Sequence, residues 1–349
     1  MTVIAAFLGT QTLGDFIMYH LVAASVARAI PGSRLFAVYR DDRPYKAPLC
    51  RYNPRLERAL ALPDDPAVVC PVDGLAGLGA ADGDPWAAAG LPPADLLLTP
   101  SMLNIGGCLW PPPALYIPDA EAADGAARLT ARGLDPDRWF AALHMRENLY
   151  EHRFGVDARR SVDPSTYLPM IRDLLARGGQ VVRLGDPSMA PLPDLPGFID
   201  LSRTGTFAEQ AWAVSRARFF LGTDTGPTQL ACAFKTPAAT TNAMGIGVWN
   251  DGDLVALKTF VLSTGRKLTR DALLDMTDTG MQVIYPKDEM DVVDNLPDDL
   301  AAVGRHMLDR TEDCPAWRVP APDPAAGEPL ALPLPWHHVL DRADLTMWG

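Results

Sequence analysis

The stretch 219–234 constrains this chain more than any other. Phe219, Phe220 and Leu221 make a short apolar run closed by Gly222, the pattern of a strand buried on both faces of a parallel sheet. Leu230, Ala231, Ala233 and Phe234 then recur with a helical period, so the stretch predicts strand, turn and helix. A parallel strand requires crossover connections, which points to an α/β protein. Small residues fill the turn. Thr223, Thr225 and Gly226 allow backbone N–H groups to come close to a ligand, and the helix start adds unpaired donors and a positive dipole end. A phosphate suits such a turn. Asp224 opposes a phosphate unless it points elsewhere, at sugar hydroxyls for instance, and a plain βα turn capped by Asp224 is the competing account.

The run Phe220-Leu221-Gly222-Thr223-Asp224-Thr225-Gly226-Pro227 with Leu230-Ala231 resembles the donor-site signature of the ADP-heptose:lipopolysaccharide heptosyltransferase family. Gln229 stands where that family usually has histidine. The wider segment 143–267, including Arg183-Leu184-Gly185-Asp186-Pro187-Ser188-Met189, resembles a group of bacterial glycosyltransferases related to the heptosyltransferases. The resemblance implies a GT-B-like α/β fold, two Rossmann-like domains facing a cleft.

With 349 residues the chain is long enough for two such domains. Its five cysteines are scattered without a C-x-x-C pair, so neither a zinc site nor a disulfide framework is expected, and a reducing cytoplasm fits. A formal charge of −12 argues against a nucleic-acid partner. The apolar run 3–8 is too short for a membrane span or a leader, so the expected location is cytoplasmic, with at most peripheral contact at the inner face of a membrane. The 33 prolines cluster at 92–93, 111–113, 191–196 and 320–335 and predict stiff connections.

Residues 1–135 read as an N-terminal Rossmann-like acceptor domain, 136–310 as a C-terminal donor domain, and 311–349 as a Pro-rich tail whose terminal helix packs back on the first domain. A strand over 2–8, a helix over 16–30 and a strand over 34–39 open the chain. A helix over 53–62 and strands over 68–72, 95–99 and 115–118 follow, then a helix over 120–133. In the second half, strands are expected at 141–145, 180–184, 198–201, 219–221 and 237–241. Helices are expected at 165–177, 206–216 and 288–310.

Leu13-Gly14-Asp15 matches a Leu-Gly-Asp of the resembled family, whose aspartate is the proposed general base, and the match carries that role to Asp15. A helix cap is the alternative for Asp15. Arg146, at a strand's C-terminal end, has the fork of donors that grips a diphosphate, or else pairs with a neighbouring acid. Gly185 gives a base or sugar room to approach the backbone. Glu209 sits at the third position of a capping box begun by Thr206, and also near where the family's glutamate reaches the ribose. The donor set is completed by Arg183, Asp186, Thr223, Asp224, Thr225, Gly226 and Lys258, with Lys258 a candidate to neutralise the leaving diphosphate. Thr12 and Asn104 are candidate acceptor residues.

The resemblance implies an inverting, metal-independent glycosyltransferase. It would move a sugar from a nucleotide-sugar donor to a hydroxyl of a glycan, glycolipid or protein, in bacterial surface glycan or glycoconjugate synthesis. No metal site and no cofactor beyond the nucleotide-sugar substrate is expected; Asp251-Gly252-Asp253 has a D-x-D pattern but lies away from the expected position. The alternatives are a GT-B-fold epimerase or phosphorylase, and a nucleotide-sugar binding module without transfer activity.

Overall fold

The computed structural model describes residues 1–10, 12–64, 85–103, 114–147, 158–245, 253–274, 290–320 and 339–340. They divide into two compact α/β units, Met1–Asp119 and Ala120–Pro320, the second joined by a strand at Val339–Leu340.

In the first unit β1 (Val3–Phe7) leads to α1 (Leu13–Ala29) and β2 (Arg34–Arg40), at the positions their periodicity predicts. α2 (Lys46–Tyr52), β3 (Leu56–Leu62), the short α3 (Pro85–Ala88), β4 (Leu96–Leu98) and the short α4 (Pro100–Leu103) complete it. The sheet is parallel, in the order β3-β2-β1-β4. All five residues of β1 are buried, and Phe7, Phe36 and Trp86 form the core beside it.

The helix expected over 53–62 is not there. Asn53 ends α2, and the following Leu-Glu-Arg-Ala-Leu-Ala-Leu run extends as β3 along β2, from Leu56 opposite Leu35 to Leu62 opposite Arg40. Its helix propensity is worth only a few tenths of a kcal/mol per residue, roughly, and a ladder along a waiting sheet edge outweighs it. Residues 115–118, expected as a strand, are irregular; the Tyr116 N–H donates to the Tyr52 carbonyl at 2.7 Å. The expected strand 68–72 lies outside the described residues.

α5 (Asp119–Ala131) precedes the second sheet, which is built from β5 (Phe140–His144), β6 (Gln180–Arg183), β7 (Phe198–Asp200), β8 (Phe219–Gly222), β9 (Ala238–Ala243), β10 (Leu254–Leu257) and β13 (Val339–Leu340). α6 (Leu168–Ala176), α7 (Phe207–Arg216) and α8 (Gly226–Ala233) are its crossovers. β11 (Thr259–Leu262) and β12 (Met290–Val293) pair as an antiparallel ribbon, with α9 (Arg270–Leu274) between them and α10 (Pro297–Arg310) after them. The helix expected from 288 therefore begins only at Pro297, because Met290–Val293 pairs with β11.

The order β13-β10-β9-β8-β5-β6-β7, parallel throughout, reverses direction at β5. From β5 the chain runs outward through β6 and β7, then returns to lay β8, β9 and β10 on the other side. β5 and β8 thus flank a topological switch point, and open α/β sheets bind ligands in the crevice beyond the strand ends there. Past α10, Trp317 meets the Trp212 ring edge-on at 5.0 Å, and Arg318 donates to Thr236 Oγ1 at 2.7 Å and to the Lys235 carbonyl at 2.6 Å. The start of the expected tail belongs to the second unit. Of the expected terminal helix, Val339–Leu340 instead pairs in parallel with β10, and 341–349 lies outside the described residues. No helix among the described residues is long and apolar enough to cross a membrane.

Candidate functional site

The ends of β5 and β8 are tied together residue by residue. His144 lies opposite Gly222, and the Thr223 N–H donates to the His144 carbonyl at 3.1 Å. The Arg146 N–H in turn donates to Thr223 Oγ1 at 3.0 Å. Gly222 is needed for this approach: a Cβ there would stand 2.6 Å from the Phe220 ring and 3.2 Å from the His144 carbonyl.

Thr225 is the N-cap residue of α8, yet its hydroxyl caps no backbone N–H. Thr225 Oγ1 lies 3.1 Å from the Thr223 carbonyl and 3.0 Å from His144 Nδ1. A hydroxyl has one proton. Both contacts are satisfied when it donates to the carbonyl and accepts from Nδ1–H of a neutral imidazole. Burial drives the pKa of His144 down to about 3, with Arg146 and Arg183 adding to the effect, so the ring is neutral at physiological pH. Thr228 Oγ1 also donates to the Thr223 carbonyl, at 2.5 Å. These bonds tie the turn to the end of β5, and the first turn of α8 keeps its positive dipole end without a side-chain cap.

Two guanidinium groups and one carboxylate surround this turn. Burial and then the Arg160 charge, partly offset by Asp224, lower the Arg146 pKa to about 10, so Arg146 stays charged at neutral pH. Arg160 Nη2 donates to the Asp224 carbonyl at 2.9 Å and lies 3.4 Å from Asp224 Oδ2. Arg160 Nε is buried without a partner. Asp224 is therefore neither the helix cap nor isolated beside the turn. Among the described residues two guanidinium groups and one carboxylate meet at this turn, next to a helix N-terminus, an arrangement that suits an anion of more than one charge.

Four other residues expected at the donor site are committed elsewhere. Arg183 is fully buried: Nη2 donates to Glu147 Oε1 at 2.7 Å, and Nη1 to Asp200 Oδ2 at 3.0 Å and the Ala190 carbonyl at 2.8 Å. It ties β5, β6 and β7 together, and its guanidinium does not reach a surface. Glu209, 3% exposed, completes the capping box with Thr206 and takes Arg132 Nε at 2.7 Å. Burial raises its pKa, but the hydrogen bonds from Arg132 and Thr206 outweigh that and hold it below the ordinary carboxylate value. Asp186 Oδ1 accepts from the Ser188 N–H at 2.9 Å and Oγ at 2.5 Å, a local turn. Lys258, 3% exposed, donates to the carbonyls of Arg159 and Ser161 at 2.6 and 3.0 Å and to Asp294 Oδ1 at 2.6 Å.

Gly185, with φ of 155°, adopts a conformation that disfavours a side chain, and a Cβ would meet Met189 Sδ at 2.2 Å. Its backbone N–H and carbonyl are both bonded to the Gln210 carboxamide, at 3.0 and 2.9 Å, so the approach expected of a base or sugar is filled by Gln210. In the first unit Asp15 and Thr12 are both exposed. Thr12 Oγ1 donates to Asp15 Oδ2 at 2.6 Å and accepts from the Asp15 N–H at 3.3 Å, so the two share the start of α1. Asn104 lies outside the described residues.

Arg146, Thr223, Asp224, Thr225 and Gly226 therefore come together, joined by His144 and Arg160. Neither His144 nor Arg160 is among the residues singled out from the sequence. A link spanning 64 residues leaves no local signal for Arg160. The position of His144 at the end of an apolar strand leading into Arg146 was the available signal for the other. Among the described residues no group of three or more His, Cys, Asp or Glu is arranged to hold a metal ion.

The fold is shared with known enzymes. The ADP-heptose lipopolysaccharide heptosyltransferase II of E. coli superposes with a TM-score of 0.50 at 13% identity, over 74% of this chain and 90% of that one. A family 9 glycosyl transferase from Veillonella parvula gives 0.55 at 11% identity, over 88% of this chain and 98% of that one. No protein-family model matches the chain, and no curated protein matches its sequence. The expected α/β class of two Rossmann-like units is borne out at the level of fold.

Proposed function

We propose that this protein is an inverting, metal-independent glycosyltransferase that moves a sugar from a nucleotide-sugar to an acceptor hydroxyl. The observation that carries the reading is the meeting of Arg146 and Arg160 at the uncapped start of α8, at the switch point of the second sheet. A fold in common with a heptosyltransferase and a family 9 glycosyl transferase supports it.

The donor diphosphate lies against the N–H groups of Thr225 and Gly226, with the two guanidinium groups taking its charge. Asp224 holds donor hydroxyls. Asp15 is assigned the base: its carboxylate takes the proton of the acceptor hydroxyl as that oxygen bonds to the anomeric carbon. The carbon–oxygen bond to the diphosphate breaks on the opposite side, and the nucleoside diphosphate leaves with the electron pair. One displacement inverts the anomeric centre. The acceptor is a bacterial surface glycan, a glycolipid or a protein hydroxyl, glycosylated in the cytoplasm or at the inner face of the membrane.

A thermal-shift panel of UDP-, GDP-, ADP-, CMP- and dTDP-sugars tests the reading, because a ligand that binds only the folded state raises its unfolding midpoint. One nucleotide class is expected to stabilise the wild type and to lose most of that effect in Arg146→Gln. Indifference of the wild type to every member would overturn the proposal.

A further inference from the structure

We infer that Lys258 is a positioning residue for Arg160, holding that guanidinium against the turn at 223–226; this rests on the donor reading above. Lys258 follows β10 and is 3% exposed. An ammonium carries three N–H donors, and among the described residues they meet three acceptors: the carbonyl of Arg159 at 2.6 Å, the carbonyl of Ser161 at 3.0 Å and Asp294 Oδ1 at 2.6 Å. The two carbonyls belong to the residues on either side of Arg160. Fixing both pins the backbone of Arg160 and directs its side chain to Asp224, 64 positions on, where Nη2 meets the carbonyl at 2.9 Å.

Lys258 is thus spent on the chain and does not ligate a phosphate itself. The flexible stem and tetrahedral head of a lysine suit this, since three acceptors in three directions are matched by donors in three directions, which a flat guanidinium does not provide. Its charge is balanced by Asp294, whose side chain is 35% exposed. Lys258 therefore supplies orientation to the site without adding net charge, while Arg160 supplies the charge.

Binding of inorganic pyrophosphate is measured by calorimetry on wild type, Lys258→Met, Arg160→Gln and the double variant, each confirmed folded by circular dichroism at the working temperature. Arg160→Gln is expected to weaken binding roughly tenfold, the scale of one charge-assisted contact. Lys258→Met is expected to weaken it by a comparable factor, and the double variant to be no worse than Arg160→Gln alone. A lysine that serves stability only would lower the unfolding midpoint and leave the affinity of the folded protein untouched, or its effect would multiply with that of Arg160→Gln; either result overturns the inference. Should Lys258→Met fail to fold, Lys258→Arg goes through the same cycle under the same criteria. A wild type that binds neither pyrophosphate nor any nucleotide sinks the donor reading and this inference with it, whereas binding that depends on Arg160 and ignores Lys258 sinks the inference alone.

Discussion

Arg160 Nη2 is closer to the backbone carbonyl of Asp224, at 2.9 Å, than to its carboxylate, at 3.4 Å. The turn is held by the carbonyl, so Asp224→Asn is expected to keep its shape and to change stability by no more than about 0.5 kcal/mol. Removing the negative charge between two guanidinium groups should tighten pyrophosphate binding about fivefold at low salt, on the scale of ~1 kcal/mol for a solvent-screened pair. The same substitution should weaken the intact nucleotide-sugar relative to pyrophosphate, because Asp224 is assigned to donor hydroxyls. Calorimetry with both ligands checks this. Parallel changes in the two affinities would remove Asp224 from sugar recognition.

Arg183 joins Glu147, 8% exposed, and Asp200 on the β5-β6-β7 side of the second sheet. Arg183→Met leaves a buried carboxylate without its cation, and the expected loss of stability is about 3–5 kcal/mol. Glu147 Oε2 also accepts the Ala190 N–H at 2.8 Å, so the segment after β6 should loosen with it. Urea unfolding followed by circular dichroism measures the loss. A midpoint within error of the wild type would mean that water replaces the arginine at no cost.

The parallel strands were legible because burial on both faces leaves uninterrupted apolar runs, such as Val3–Phe7 and Phe219–Gly222. β3 was not, since its sequence Leu-Glu-Arg-Ala-Leu-Ala-Leu carries a helical preference that only the open edge of β2 overrides. At the site, Thr223, Thr225 and Gly226 were readable as a turn, while the charged residues were not sorted. Arg183, Glu209 and Lys258 looked like ligand contacts because charged residues near strand ends often are. Their partners lie far along the chain, 36 positions away for Glu147 with Arg183 and 77 for Arg132 with Glu209, and no local pattern reveals them. Arg160 was overlooked for the same reason.

Gly125 offers a prediction of opposite sign to helix propensity. It lies within α5, where alanine is ordinarily better by about 1 kcal/mol. A Cβ there would stand 2.4 Å from Trp212 Cδ1 and 2.6 Å from Cγ, and that indole is fixed by its hydrogen bond to the Ala122 carbonyl at 2.7 Å and by stacking on Phe140. Gly125→Ala should therefore destabilise the second unit by about 1–3 kcal/mol. Chemical denaturation decides it, and a more stable variant would mean that Trp212 moves aside freely.

Among the described residues two buried histidines, one in each unit, are expected to make stability fall in acid. Burial lowers both His20 and His144 from the ordinary value of 6.5 to about 3. His20 is enclosed by Phe16, Cys50 and Asn53, its Nδ1 lying 3.2 Å from Asn53 Nδ2. Between pH 6.5 and 3 the unfolded chain binds a proton at each site that the folded protein does not, so folding stability falls as pH falls through that window and is unaffected by these groups above it. The slope is at most about 1.4 kcal/mol per pH unit for each histidine. Urea midpoints should drop between pH 7 and pH 5, before most carboxylates titrate. His20→Gln should flatten the pH dependence of the first unit, read from Trp86, and leave that of the second unchanged. His144→Asn should flatten the second, with a remainder from His306, whose pKa burial also lowers. An unaltered slope in His20→Gln would mean that His20 takes up a proton in the folded state, and that the pocket around it opens to water before the unit unfolds.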